Sequence, residues 1–338
     1  MLERPPTYLF VCWKAILPLE SNRLAFGIDC FIPSYSRNTT LQYAFLFGPE
    51  TPSKRAASIK APFMEKLKEK HSNFTFQSQF EAMERAIGET EAQGKIPVIK
   101  EHSYCMMYSD ILRNEDRSIK PIVDKFLDLP EAEKEDVATA TPSFPIPNPT
   151  FLPDRLFATF TPVLNIRHPC RMVPSLRRAV QAMEAVFPDE DTPIDTQFKW
   201  QRMVYDCYKA WLSTPEGIEA VGGASIAEHL PIVVDGDKLV NNAEGQMETL
   251  FRILNLDPSG VQYTWEAREP EAAQAVFVGT LGRSTGVIKG KDGSHKIPVL
   301  EEEVKKWTEE WDEKTAQDMK FWVDKAMEDY DYLLKRSI

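Results

Sequence analysis

The sequence predicts an α/β fold in which a central parallel sheet is packed in three layers, and three observations carry that expectation. Short continuous apolar runs recur along the chain, as strands covered on both faces require. Stretches with helical apolar spacing alternate with them. No repeat of solenoid or propeller length is visible, and no run reaches the roughly 20 apolar residues of a membrane-spanning helix.

The strand-like runs are Tyr8–Trp13 (YLFVCW), Ile96–Ile99 (IPVI), Phe160–Ile166 (FTPVLNI) and Pro231–Val234 (PIVV), with Tyr43–Phe47 as a shorter candidate. Helical stripes are formed by Phe63, Met64 and Leu67, by Phe80, Met83 and Ile87, by Met203, Val204, Cys207 and Trp211, and by Met247, Leu250 and Leu254. Five prolines between Pro142 and Pro153 mark an irregular crossing, because proline fixes φ and withholds an N–H. Strand-like runs lie on both sides of it, so residues 1–338 read as one domain. A helical region at about 175–215 and a charged helical tail at about 299–336 belong to it.

Charge narrows the function classes. Forty Lys and Arg against 51 Asp and Glu give a formal net charge of −11, the wrong sign for a general nucleic-acid binder. The N-terminus lacks the basic start and clean apolar stretch of a signal peptide, which points to the cytosol. The five cysteines show no CxxC spacing and read as reduced thiols, not as a metal site or a disulfide frame. A GxxxxGK[ST] loop is absent as well, which removes the places for a P-loop kinase's lysine and magnesium-binding hydroxyl.

The most informative segment is Val163–Arg178, VLNIRHPCRMVPSLRR. A strand ends at Ile166, so Arg167 stands where open α/β sheets bind their ligands, and its fork suits a phosphate. A helix is expected to begin near Pro174–Ser175, which would set Ser175 at an anion-favouring N-terminus. An ordinary surface ion pair for Arg167 and a simple capping role for Ser175 explain the same residues equally well.

Arg167 and Ser175 after a buried strand, with Pro169 between, resemble the 3′-phosphate-binding motif of the sulfotransferases that use 3′-phosphoadenosine 5′-phosphosulfate (PAPS). FLFGPETPSKR (45–55), GKIPVIKEHSY (94–104), NPTFLPDRL (148–156) and RSTG (283–286) resemble, in order, landmarks of a fungal sulfotransferase-like group. The stretch 231–258 is similar to that superfamily's late strand–helix unit. The resemblance implies a P-loop-like α/β fold, PAPS as co-substrate, no metal, and a small, partly apolar hydroxyl acceptor. It also implies a place in fungal secondary metabolism. In VIKEH (98–102) it makes His102 the general base and Lys100 the cation on the transferring group. Such roles suit the residue types, since a hydroxyl attacks weakly until its proton is removed, and accumulating charge needs a fixed cation.

The resemblance also implies that Arg283, Ser284, Lys289 and Gly290 form a loop over the 3′-phosphate, whereas Lys54 and Arg55 read as surface charges. The acceptor side would draw on 180–213, where Met183, Phe187, Phe198, Trp200 and Tyr205 otherwise serve as core. The family's 5′-phosphosulfate loop is the departure: residues 12–26 read CWKAILPLESNRLAF, with no glycine and with Glu20 among them. One registration makes Lys14 its cation; another uses Pro18 and Ser21 with Arg23 nearby. Two functions therefore stand: a PAPS-dependent transferase, or the same fold repurposed without PAPS as another catalyst or a ligand-binding protein.

Overall fold

In the computed structural model the chain is described at residues 8–13, as backbone, and at 41–113, 122–125, 142–269, 282–288 and 296–338. Strands β1 (Tyr8–Trp13), β2 (Val98–His102), β3 (Phe160–Ile166) and β4 (Ile232–Asp235) form a parallel sheet in the order β2-β1-β3-β4. The fold is thus α/β, with a small parallel sheet amid many helices.

Two strands coincide with the apolar runs, and two begin and end one to three residues later, at Val98–His102 and Ile232–Asp235. β3 is buried at every position except the half-buried Asn165, and β4 is buried throughout, as strands covered on both faces must be. β2 alternates: Ile99 and Glu101 are buried, while Val98, Lys100 and His102 are half-buried. Side chains of a strand point to opposite faces in turn, so Lys100 and His102 share one face and Glu101 takes the other.

Tyr43–Phe47 is not a strand. It lies in a helix, α1 (Leu41–Phe47), whose Leu41, Ala44, Phe45 and Phe47 are buried. A short apolar run carries no period that separates strand from helix. Here the buried Glu101 decides the matter, because its Oε1 accepts the Leu41 N–H at 2.9 Å and anchors the first turn.

The helical stripes form α2 (Pro62–His71), α3 (Phe76–Glu91), α5 (Lys199–Trp211) and α6 (Ala243–Leu254), with α4 (Pro169–Ala182) following β3. α3 starts on a reciprocal cap in which Ser78 N–H donates to Thr75 Oγ1 at 3.0 Å and Thr75 N–H to Ser78 Oγ at 3.1 Å. Late in the chain α7 (Leu300–Glu310) and α8 (Glu313–Leu334) follow one another. The buried Trp307 holds α7 to the core, and Ala316, Met319, Val323, Ala326, Tyr330 and Leu333 of α8 line the same core.

Candidate functional site

The parallel register brings four strand ends to one edge of the sheet. Trp13 stands opposite His102 on one side and Asn165 on the other, and Ile166 stands opposite Asp235. β1 is flanked by β2 and β3, so the chain order reverses across it; open α/β sheets bind ligands beyond such strand ends, which here are Trp13, His102 and Ile166. Cys12 and Trp13 end β1; residues 14–26, with Lys14 and Ser21, lie outside the described residues.

On the β2 side Lys100 and His102 share one face of the strand. Burial pulls the Lys100 ammonium down to about 8, opposed by the neighbouring Glu101 carboxylate. Its charge is therefore held against a desolvation cost.

On the β3 side the structure corrects the expected helix start. α4 begins at Pro169, not near Pro174–Ser175; His168 Nδ1 caps it by accepting the Cys170 N–H at 3.2 Å, and Pro174 lies inside the helix. Proline suits the first helical position, and that preference placed the start one turn too late by choosing the wrong proline. Ser175 is accordingly not at a helix N-terminus. It lies between Arg171 and Arg178 on one face, four residues after the first and three before the second.

These arginines differ in their partners. Arg171 pairs with Asp237 at 2.9 Å and also donates to the Lys296 carbonyl. Arg178 grips Glu310 through two hydrogen bonds of 2.7 and 2.5 Å. Among the described residues no carboxylate lies within ion-pair distance of Arg167. Burial lowers its pKa, Asp237 at longer range opposes that shift, and Arg171 and Arg178 reinforce it. A guanidinium so placed has the chemistry to take an anion. The sequence reading missed Arg171 and Asp237, which join the β3 and β4 turns; the shared helix face with Ser175 was the available signal.

Asp235 ends β4 by accepting the Lys238 N–H at 3.1 Å, and the Tyr330 hydroxyl of α8 donates to it at 3.2 Å. Arg283 is exposed and pairs with Glu269 at 2.7 Å, on a ribbon in which Gly286 stands opposite Thr264. Ser284 is half-buried on the same ribbon, and Lys289 and Gly290 lie outside the described residues.

Arg55 is not a surface charge. It is 5% exposed and bonded twice to Asp189 at 2.6 Å and once to Asp195. Asp191 accepts from Ser53 Oγ at 2.5 Å, from the Lys54 and Arg55 N–H groups at 3.0 and 2.9 Å, and from Arg113. The GPETPSKR stretch is therefore a buried latch on residues 189–195. Lys54 alone fits the surface reading, paired with the exposed Glu190 at 3.0 Å. In the helical region Met183, Phe198, Trp200 and Tyr205 are buried in the core, and Phe187 packs partly against it. Among the described residues no His, Cys, Asp and Glu cluster suits a metal ion, and no helix is long and apolar enough to cross a membrane.

Two curated proteins are similar to this chain. Sulfotransferase ppzF of Metarhizium rileyi is 27% identical over 273 residues, covering 78% of this chain and 76% of the relative. Sulfotransferase ppzF of Metarhizium majus is 29% identical over 274 residues, with the same shares. No protein-family model matches the chain, and no solved structure matches it. The likeness supports a sulfotransferase-like protein over most of the chain.

Proposed function

We propose that this chain is a PAPS-dependent sulfotransferase acting on a hydroxyl of a small, partly apolar molecule. The observation that carries the reading is Arg167, a half-buried guanidinium beyond the end of β3 with no carboxylate at ion-pair distance among the described residues. The likeness to two sulfotransferases supports it. In this reading residues 1–338 form one three-layer, P-loop-like domain. It works in the cytosol without a metal.

The residues present fit a nucleotide with a 3′-phosphate. Arg167 would form the bidentate contact, with Ser175 supplying a hydroxyl from the face that carries Arg171 and Arg178. Arg283, Ser284, Lys289 and Gly290 would close over it, Arg283 exchanging Glu269 for the phosphate. Lys14 and Ser21, after β1, would meet the 5′ end.

PAPS supplies an activated sulfuryl group whose leaving phosphate departs with the electrons of the bridging bond. His102 takes the acceptor's proton as its oxygen bonds to sulfur. Lys100, two residues back on the same face, offsets the negative charge that gathers on the transferring and bridging oxygens. Both groups sit on a strand, which fixes their spacing before substrate arrives.

The test is transfer of radiolabel from ³⁵S-PAPS to a panel of phenols and aliphatic alcohols. Labelled product supports the reading; no product with any acceptor and no binding of the donor would overturn it. The second reading, a repurposed fold without PAPS, rests on the glycine-free segment 12–26 with Glu20, which would repel a phosphosulfate.

A further inference from the structure

The end of β2 presents one more residue to the reaction. His102 is followed at once by a 3₁₀ turn, Ser103–Met106, closed by the Met107 N–H on the Tyr104 carbonyl at 3.3 Å. That turn lays the Tyr104 ring against the His102 imidazole, with centroids 5.3 Å apart and planes 23° from parallel. Phe45 of α1 meets the Tyr104 ring edge-on at 5.2 Å and 65°. Phe45 is buried, and its helix is anchored to β2 by Glu101, so the stack is braced from the neighbouring element.

We infer that Tyr104 is a positioning residue, stacking on His102 so that the imidazole meets the acceptor hydroxyl in a single orientation. The inference rests on the sulfuryl-transfer reading, which makes His102 the base. Offset stacking is a preferred aromatic arrangement, and it adds to what restrains the two side-chain torsions of the imidazole. The latch at Arg55 completes the picture. Burial, and then the Asp195 and Asp191 charges, keep the Tyr104 hydroxyl well above its ordinary range, against the pull of Arg55. The ring stays a neutral phenol and adds no negative charge beside Lys100 and His102.

The experiment joins two readouts on the full chain. Histidine-selective ¹³C NMR follows the imidazoles, with His102→Gln assigning the His102 signals. A ring-current shift of those signals is expected in the wild type and in Tyr104→Phe, and its loss in Tyr104→Leu. In ³⁵S transfer to the best acceptor of the panel, Tyr104→Leu should lower kcat about 10- to 100-fold at unchanged donor KM, with Tyr104→Phe restoring it to within about threefold. Tyr104→Met replaces Tyr104→Leu should that variant fail to fold. Identical His102 signals in the wild type and the aliphatic variants, or wild-type kcat in them, would overturn the inference. The NMR arm needs neither donor nor acceptor. A clear stack without transfer by the wild type therefore removes the sulfuryl-transfer reading, and the inference with it, whereas transfer without a stack removes Tyr104's role alone.

Discussion

Lys100 and His102 stand two residues apart on one face of β2, while Glu101 between them turns to the opposite face and holds the Leu41 N–H at 2.9 Å. The strand thereby sets Lys100 and His102 on one face and the Glu101 carboxylate on the other. The same carboxylate fixes α1, and with it Phe45 beside Tyr104.

The half-buried Lys100 ammonium predicts a limit on the alkaline side. Burial lowers the Lys100 pKa to about 8, so the cation is present below that pH and lost above it. Transfer measured as kcat/KM, which reports the free enzyme, should fall about tenfold per unit above about pH 8. Lys100→Arg, which keeps its charge throughout, should remove that limb. A flat profile to about pH 10 in the wild type would contradict the role of Lys100.

Loss of the base is a larger effect. His102→Ala should reduce turnover with a hydroxyl acceptor by about 10²–10⁴-fold while donor affinity holds, because the imidazole acts on the acceptor's proton. Steady-state kinetics with the labelled donor reads both quantities. Unchanged turnover would exclude His102 as the base.

Much of this was legible in the chain. β1 and β3 coincide with their continuous apolar runs, whereas Lys100 and His102 stand out only through the family resemblance of VIKEH. Arg167 follows from where the β3 run ends. What misled was punctuation and distance. Pro169 and Pro174 offered two starts for α4, and only the His168 cap chooses between them. Phe45 reads equally as strand or helix until Glu101, 60 residues away from Leu41, is seen at its N-terminus. Arg55 meets Asp189 and Asp195 across more than 130 residues, a separation that no local pattern encodes.

That latch predicts a stability contrast between neighbours. Arg55→Met leaves the half-buried Asp189 and Asp195 without their buried guanidinium and should cost about 3–5 kcal/mol. Lys54→Ala removes only a partly exposed pair with Glu190 and should cost no more than about 1 kcal/mol. Denaturant midpoints at unchanged m-value measure both. Equal midpoints for the two variants would show that the Arg55 cluster is not a latch.

Calorimetric titration of adenosine 3′,5′-bisphosphate and AMP into the wild type and Arg167→Ala asks whether Arg167 holds a 3′-phosphate. The bisphosphate should bind the wild type more tightly than AMP does. Arg167→Ala should weaken the bisphosphate by about 1.5–3 kcal/mol, roughly tenfold to a hundredfold, and leave AMP nearly unchanged. No binding of the bisphosphate to the wild type, or equal losses for the two nucleotides in the variant, would contradict that role.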